Sequence, residues 1–329
     1  MKAVVIPELT GPAAATLREV PEPDGAHERA GGRRILVEVH AAGLSFVDPL
    51  QARGAYQHRL QPPYVAGSEV AGVVLEAPPD STFRPGDRVA GSVWHGGLAE
   101  RALAVEDHLV RIPDTMDFEH AAGVQMNYCT ALYALERSTV QPGGTLLVTG
   151  AAGGVGTAAL DLARALDLSA IALVSTEEKE RIARSAGAAH VVRSTGPWLE
   201  EVRSLTGEHG VQGFLDMVGG EVFLDAVRSL AVGGTGVVVG FASGTIPEIR
   251  TNRLLLRNLT LRGMAMDVMD AEHPGTLARV RTRVQDLLDA GSLHPVVQHV
   301  YPLERAAQAL ASIEDRTAVG KVVVTVTPS

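Results

Sequence analysis

The run TLLVTGAAGGVGTAALDLARAL, residues 145–166, constrains this chain more than any other segment. It begins as a buried strand, all apolar or small, and ends with apolar residues at helical spacing. Between the two lies AAGGVG, so glycines fall on a strand-to-helix turn. Free amides and the helix dipole at such a turn attract a pyrophosphate. Gly153 has no Cβ to hold phosphates off, and Gly156 allows the helix to pack on the strand. With Gly153 and Gly156 aligned on the dinucleotide fingerprint, Ala151 takes the first glycine position, beside Gly150. The context, strand before and helix after, is what the fingerprint requires. The segment Gly150, Ala152, Gly153, Gly154, Val155, Gly156 is therefore expected to hold a dinucleotide.

Downstream of the turn, the pattern supports a doubly wound parallel sheet. Strand-like AIALVS, HVVR, GFLDMVG, GTGVVVGF and LTLRGMAM alternate with helix-like EEKERIARSAG, PWLEEVRSLTG and EVFLDAVRSLA. Upstream of it the texture differs. KAVVI, RILVEVHAAG, EVAGVVLEA and GDRVAGSV are short strands parted by Pro and Gly, the mark of an irregular, mostly antiparallel β domain. FEHAAGVQMNYCTALYAL, between them, reads as helix. At 329 residues the chain exceeds what one core usually serves, and two domains are expected. The boundaries are 1–122 with 268–329 for the β domain, and 123–267 for the parallel-sheet domain.

The charge balance, −9, has no Lys/Arg-rich run and argues against nucleic acid as partner. The uncharged stretch 138–160 carries Pro142 and glycines that would leave backbone groups unpaired in lipid, so no membrane span is expected. A single cysteine, Cys129, excludes an internal disulfide and any Cys-rich zinc site, and points to the cytoplasm.

An NAD site usually carries Asp or Glu at the end of the second strand. Here that strand ends at Ser175, with Lys179 on the next helix. A hydroxyl and an ammonium suit a 2′-phosphate, which selects NADPH; Arg193 and Ser194 after the third strand join them. Ser175 and Glu178 also read as a capping box. Gly240 and Phe241, at a later strand end, fall in the crevice where such sheets bind ligands. Asp216 is expected to cap the turn after it.

Several segments in order resemble the medium-chain dehydrogenase/reductase superfamily, in its zinc-free quinone oxidoreductase branch. They are AAGLSFVDPLQARGAYQ, PPYVAGSEVAGVV, FRPGDRVAG, GGLAERALA, CTALYAL, GAAGGVG, GVQGFLDMVGG and GKVVVTV. The resemblance implies a GroES-like β domain, a Rossmann domain and a cleft between them. Zinc alcohol dehydrogenases of that superfamily place a Cys and a His where this chain has Ser45 and Ser68, neither a normal zinc ligand. His40, His58, His95 and His108 show no metal-ligand spacing, and no metal is expected.

The resemblance also implies roles. Quinone oxidoreductases commonly have Asn at the position of Ser45 and a Tyr at that of Tyr56, so Ser45 or Tyr56 is the candidate donor to an acceptor carbonyl. Thr130 matches the threonine at the nicotinamide end. Trp94, Met126, Asn127 and Tyr128 fall in segments that line the substrate pocket, and Tyr56 and Phe241 border it. The reaction implied is hydride delivery from NADPH to a quinone, with an enone or enoyl thioester, or NADPH binding without catalysis, as alternatives. A homodimer is expected, joined through residues 257–266, the final strand of the sheet.

Overall fold

The computed structural model describes residues 1–326. Two units divide the chain. The first comprises Met1–Met126, Leu288–Ala290 and Val297 onward; the second comprises Asn127–Leu287 and Gly291–Val296.

In the first unit the strands are β1 (Lys2–Ile6), β2 (Thr16–Glu19), β3 (Ile35–Leu44), β4 (Tyr64–Val65), β5 (Glu69–Glu76), β6 (Arg88–Ser92), β7 (Arg101–Ala104) and β8 (Leu109–Arg111). Short helices α1 (Val47–Ala52) and α2 (Phe118–Ala121) punctuate them. β3 is apolar enough to be buried along most of its length, and it pairs antiparallel with β5 and β7. Ile35, Val37, Val39, Val70, Val74, Val89 and Leu109 pack together on this sheet and exclude water.

The helix read through residues 118–135 is two helices. α2 ends at Ala121 and α3 spans Gln125–Ser138. Asp117 caps α2 by accepting from the His120 amide. A Cβ on Gly123 would lie 3.3 Å from Lys321 Cγ, so the bend sits where the chain is packed tightly.

The second unit runs β9 (Thr145–Thr149), α4 (Gly154–Ala165), β10 (Ser169–Val174), α5 (Glu177–Ser185), β11 (His190–Arg193), α6 (Trp198–Leu205), β12 (Val211–Asp216), α7 (Glu221–Ser229) and β13 (Leu230–Val238). It closes with α8 (Asn252–Leu255), β14 (Thr260–Gly263), α9 (Met266–Glu272) and α10 (Thr276–Asp289). The six strands are all parallel, in the order β11-β10-β9-β12-β13-β14. The order reverses beside β9, whose carboxyl end carries the glycine turn. That is where doubly wound sheets bind ligands.

The tail then returns later than residue 268. α9 and most of α10 stay with the parallel sheet, because Arg279 pairs with Glu136 of α3 at 2.7 Å. The His294 amide bonds Asp161 of α4 at 2.6 Å, which fastens residues 291–296 there too. Only then come β15 (Val297–Pro302), α11 (Ala306–Glu314) and β16 (Lys321–Thr325) in the first unit. β16 lies antiparallel to β3 and parallel to β15. Among the described residues, no helix is long and apolar enough to cross a membrane.

Candidate functional site

Gly150 leaves β9 with φ +61°, a conformation that favours glycine, and its carbonyl accepts from the Gly153 amide at 3.0 Å. Gly153 is extended and starts α4 with no side-chain cap and no acidic residue in the first turn. The amides of that turn therefore have no acidic or capping group of their own to satisfy them. A Cβ at Gly156 would come 2.3 Å from the Gly150 carbonyl oxygen, so only glycine lets the helix sit on its own turn. At Gly153 a Cβ would meet nothing closer than 3.4 Å, and the residue is exposed. The turn thus separates one glycine that packs from one that leaves room for a ligand. Ala152 is buried under it, while Gly154 is exposed to an intermediate degree, as is Val155. The Asn127 carboxamide lies against Gly154.

At the end of β10, Lys179 Nζ donates to Ser175 Oγ at 3.2 Å. The cap of α5 is Thr176, which accepts from the Lys179 amide; the expected Ser175–Glu178 box is not formed. The chain turns into α5 one residue later than that box requires, which leaves the Ser175 hydroxyl for Lys179. Arg193 is registered against Val174 on β11, and the Ser194 amide bonds the Val174 carbonyl at 2.8 Å. Four predicted residues thus gather at two neighbouring strand ends. Arg193 is already engaged: Nε reaches Glu180 at 3.0 Å, and Glu180 also holds Arg184.

Asp216 ends β12, fully buried, and accepts from the amides of Val218 and Gly219 and from the Thr149 hydroxyl. Burial raises its acid above the usual range, opposed by those donors. It caps the turn, as expected. Its carbonyl accepts from the Gly240 amide at 3.2 Å, and Phe241 beside it stays exposed. Thr130 is half-buried on α3. Tyr128 is not a pocket residue: it is 2% exposed and its hydroxyl donates to Asp161 at 2.7 Å, facing the core under α4.

The remaining candidates belong to the first unit. Tyr56 meets His58 at 5.8 Å between ring centroids, and His58 meets Trp94 edge-on at 5.9 Å. Trp94 adopts φ +63°, rare for so large a side chain. Gln51 donates to its carbonyl at 3.0 Å, and the Arg29 guanidinium stands 3.8 Å over its ring. Together these form an aromatic wall. Met126 donates its amide to Glu69 at 2.9 Å, at the first turn of α3.

Ser45 is held by Asp48. Asp48 Oδ2 accepts from the Ser45 amide at 2.7 Å, the Ser45 hydroxyl at 3.3 Å and the Ser68 hydroxyl at 3.0 Å. Beside Ser68, Glu69 and Lys321 form a buried ion pair at 2.5 Å. The segments SFVD and GSE carry what signal there is, an acid three residues after the serine and another directly after Ser68. The set suits zinc poorly. Two hydroxyls are weak ligands, the one shared carboxyl oxygen already takes three donors, and Glu69 is neutralised by Lys321. Among the described residues no group of three or more His, Cys, Asp or Glu could hold a metal ion.

Comparison with known proteins covers both units. Residues 31–114 match the family described as alcohol dehydrogenase GroES-like domain, and residues 154–282 match the family described as zinc-binding dehydrogenase. A cattle (Bos taurus) quinone oxidoreductase-like protein 2 is 37% identical over 98% of this chain and 91% of its own length. A solved probable oxidoreductase from Mycobacterium abscessus superposes with a TM-score of 0.88 at 35% identity, covering 99% of each chain. The quinone oxidoreductase from Thermus thermophilus, solved alone and in complex with NADPH, gives 0.80 at 34% identity over 99% of this chain and 100% of that one.

Proposed function

The chain belongs to the quinone oxidoreductase-like family of medium-chain dehydrogenases/reductases, and we propose that it is a zinc-independent reductase that prefers NADPH and passes hydride to a quinone or a similar carbonyl-conjugated acceptor. The observation that carries this reading is the Ser175–Lys179 pair, 3.2 Å apart at the strand end next to the glycine turn. No carboxylate occupies the position from which NAD enzymes hold the ribose. A bound nicotinamide cofactor supplies the hydride.

Everything else falls to the protein. The amides of the α4 turn hold the pyrophosphate, with Asn127 steadying Gly154. Ser175, Lys179, Arg193 and Ser194 take the 2′-phosphate. Thr130 and the backbone at Gly240 and Phe241 serve the nicotinamide end. On the acceptor side, the hydroxyls of Ser45 and Tyr56 donate to the oxygen where negative charge develops, the role that usually contributes most to such reactions. Trp94 and Met126 supply apolar walls for a flat acceptor. The two serines at the usual metal-ligand positions support zinc independence. The edge strand β14 and the exposed Leu255 and Leu256 before it, 77% and 76% accessible, support a homodimer joined through this unit. With one buried cysteine the chain has no need of an oxidising compartment, and we assign it to the cytoplasm.

The test is NADPH oxidation by the purified protein with a panel of quinones, enones and enoyl thioesters, in the presence of a zinc chelator. Turnover with quinones and no effect of chelator is expected. Turnover with thioesters alone would transfer the same residues to an enoyl reductase. Binding of NADPH with no turnover would leave a non-catalytic role.

A further inference from the structure

We propose that Asp48 is the positioning residue of the acceptor site, its Oδ2 fixing Ser45 by backbone and side chain while Ser68 completes the ring. The inference rests on the functional reading above, in which Ser45 meets the acceptor.

Three donors converge on this one oxygen, and they are unequal. The Ser45 amide at 2.7 Å and the Ser68 hydroxyl at 3.0 Å are short; the Ser45 hydroxyl at 3.3 Å is long. The short pair pins the backbone between β3 and α1. The long bond is the one to be exchanged, so the Ser45 hydroxyl can turn to an acceptor oxygen without disturbing its own support. Asp48 is 3% exposed, and its other oxygen, Oδ1, is buried with no hydrogen-bond partner. A carboxylate with one bare oxygen out of water is costly. Oδ2 is the one acceptor that all three donors share, so the group it holds depends on that oxygen. Burial pushes the acid up, against the Ser45 and Ser68 donors and the charge of Lys321. The pair Glu69–Lys321 and the half-buried Tyr64 are the other ionisable groups around it.

The shared oxygen selects the distinguishing variants. Asparagine keeps one acceptor oxygen and places an amide NH2 at the other position; alanine removes the oxygen altogether. With the quinone panel, Asp48→Ala should lower kcat by about tenfold or more, the rate equivalent of a lost hydrogen bond, and leave the KM for NADPH near that of the parent. Asp48→Asn should recover most of the loss. In a Ser45→Ala background, Asp48→Ala should cost nothing further in kcat, because the group it positions is gone. Equal losses in both backgrounds, or an Asn variant as slow as Ala at the same melting temperature, would overturn the assignment. If Asp48→Ala does not fold, Ser68→Ala carries the same cycle. A second readout needs no turnover: hydrogen exchange at the Ser45 amide should be slow in the parent and fast in Asp48→Ala. A parent that reduces no acceptor defeats the functional reading, and the exchange result then decides Asp48 alone. Equally slow exchange in both proteins overturns its role.

Discussion

Gly153 and Gly156 stand three residues apart and answer to different forces. A Cβ at Gly156 runs into the Gly150 carbonyl at 2.3 Å, so Gly156→Ala should cost about 1–3 kcal/mol of stability as an overpacked backbone contact, visible in a denaturant titration. Gly153 is extended with φ −87°, and its Cβ would find 3.4 Å of clearance. Gly153→Val should therefore fold like the parent and fail to bind NADPH. Normal binding by a folded Gly153→Val would reduce the turn to packing alone. A parallel contrast applies to the ribose end. Lys179→Ala should weaken NADPH roughly tenfold to a hundredfold, as one charge-assisted contact is lost, and leave NADH nearly unchanged. Equal weakening of both would show that Lys179 serves the helix and not the phosphate.

At the scale of elements, strands and helices of the parallel sheet are legible in the sequence because each is one uninterrupted apolar run or one amphipathic face. Gly153 and Gly156 can be told apart there because the fingerprint itself assigns them different duties. Tyr128 cannot be placed, since its partner Asp161 lies 33 positions away and nothing local says that the ring turns inward. Asp48 is hidden for a similar reason. An acid next to apolar residues reads as surface until Ser68, just before β5, meets it. The turn after β6 shows a further pairing of this kind. His27 Nε2 donates to the Val93 carbonyl at 2.8 Å while its Nδ1 accepts from the Arg29 amide at 3.1 Å, so the ring is neutral and supports the wall residue Trp94. Burial holds His27 below its usual value, as it does His95 beside it, with Glu28 opposing and Arg29 reinforcing. A base depressed by folding contributes fully above its unfolded value, about 6.5, and less as pH falls and the unfolded chain takes the proton first. The melting temperature should drop between pH 7.5 and about 5.5, and His27→Gln, which can still donate to Val93, should drop less. Parallel losses in the two proteins would remove His27 from the account.

For the whole molecule, the expected assembly is testable on a surface that the structure redefines. Leu261 of β14 packs into its own core, where Gly236 leaves room for it, so charging it would injure the monomer. Leu255 and Leu256 are the exposed pair beside that edge. Sedimentation at micromolar concentration should give a dimer that Leu255→Glu with Leu256→Glu splits into folded monomers. A parent that sediments as a monomer would end the proposal. The strand order has a separate consequence. β9–β11 and β12–β14 are joined across the sheet by one seam, three registered pairs from Gly213↔Leu146 to Leu215↔Val148. A polypeptide cut in the turn at Thr206–Gly210 would leave two half-sheets that meet along that line, with the β16–β3 pairing, the Arg279–Glu136 ion pair and the His294–Asp161 bond joining the same two pieces. The carboxyl end of β9 borders the line and opens into the glycine turn, so the turn at the centre of the sheet depends on the joint between its two halves.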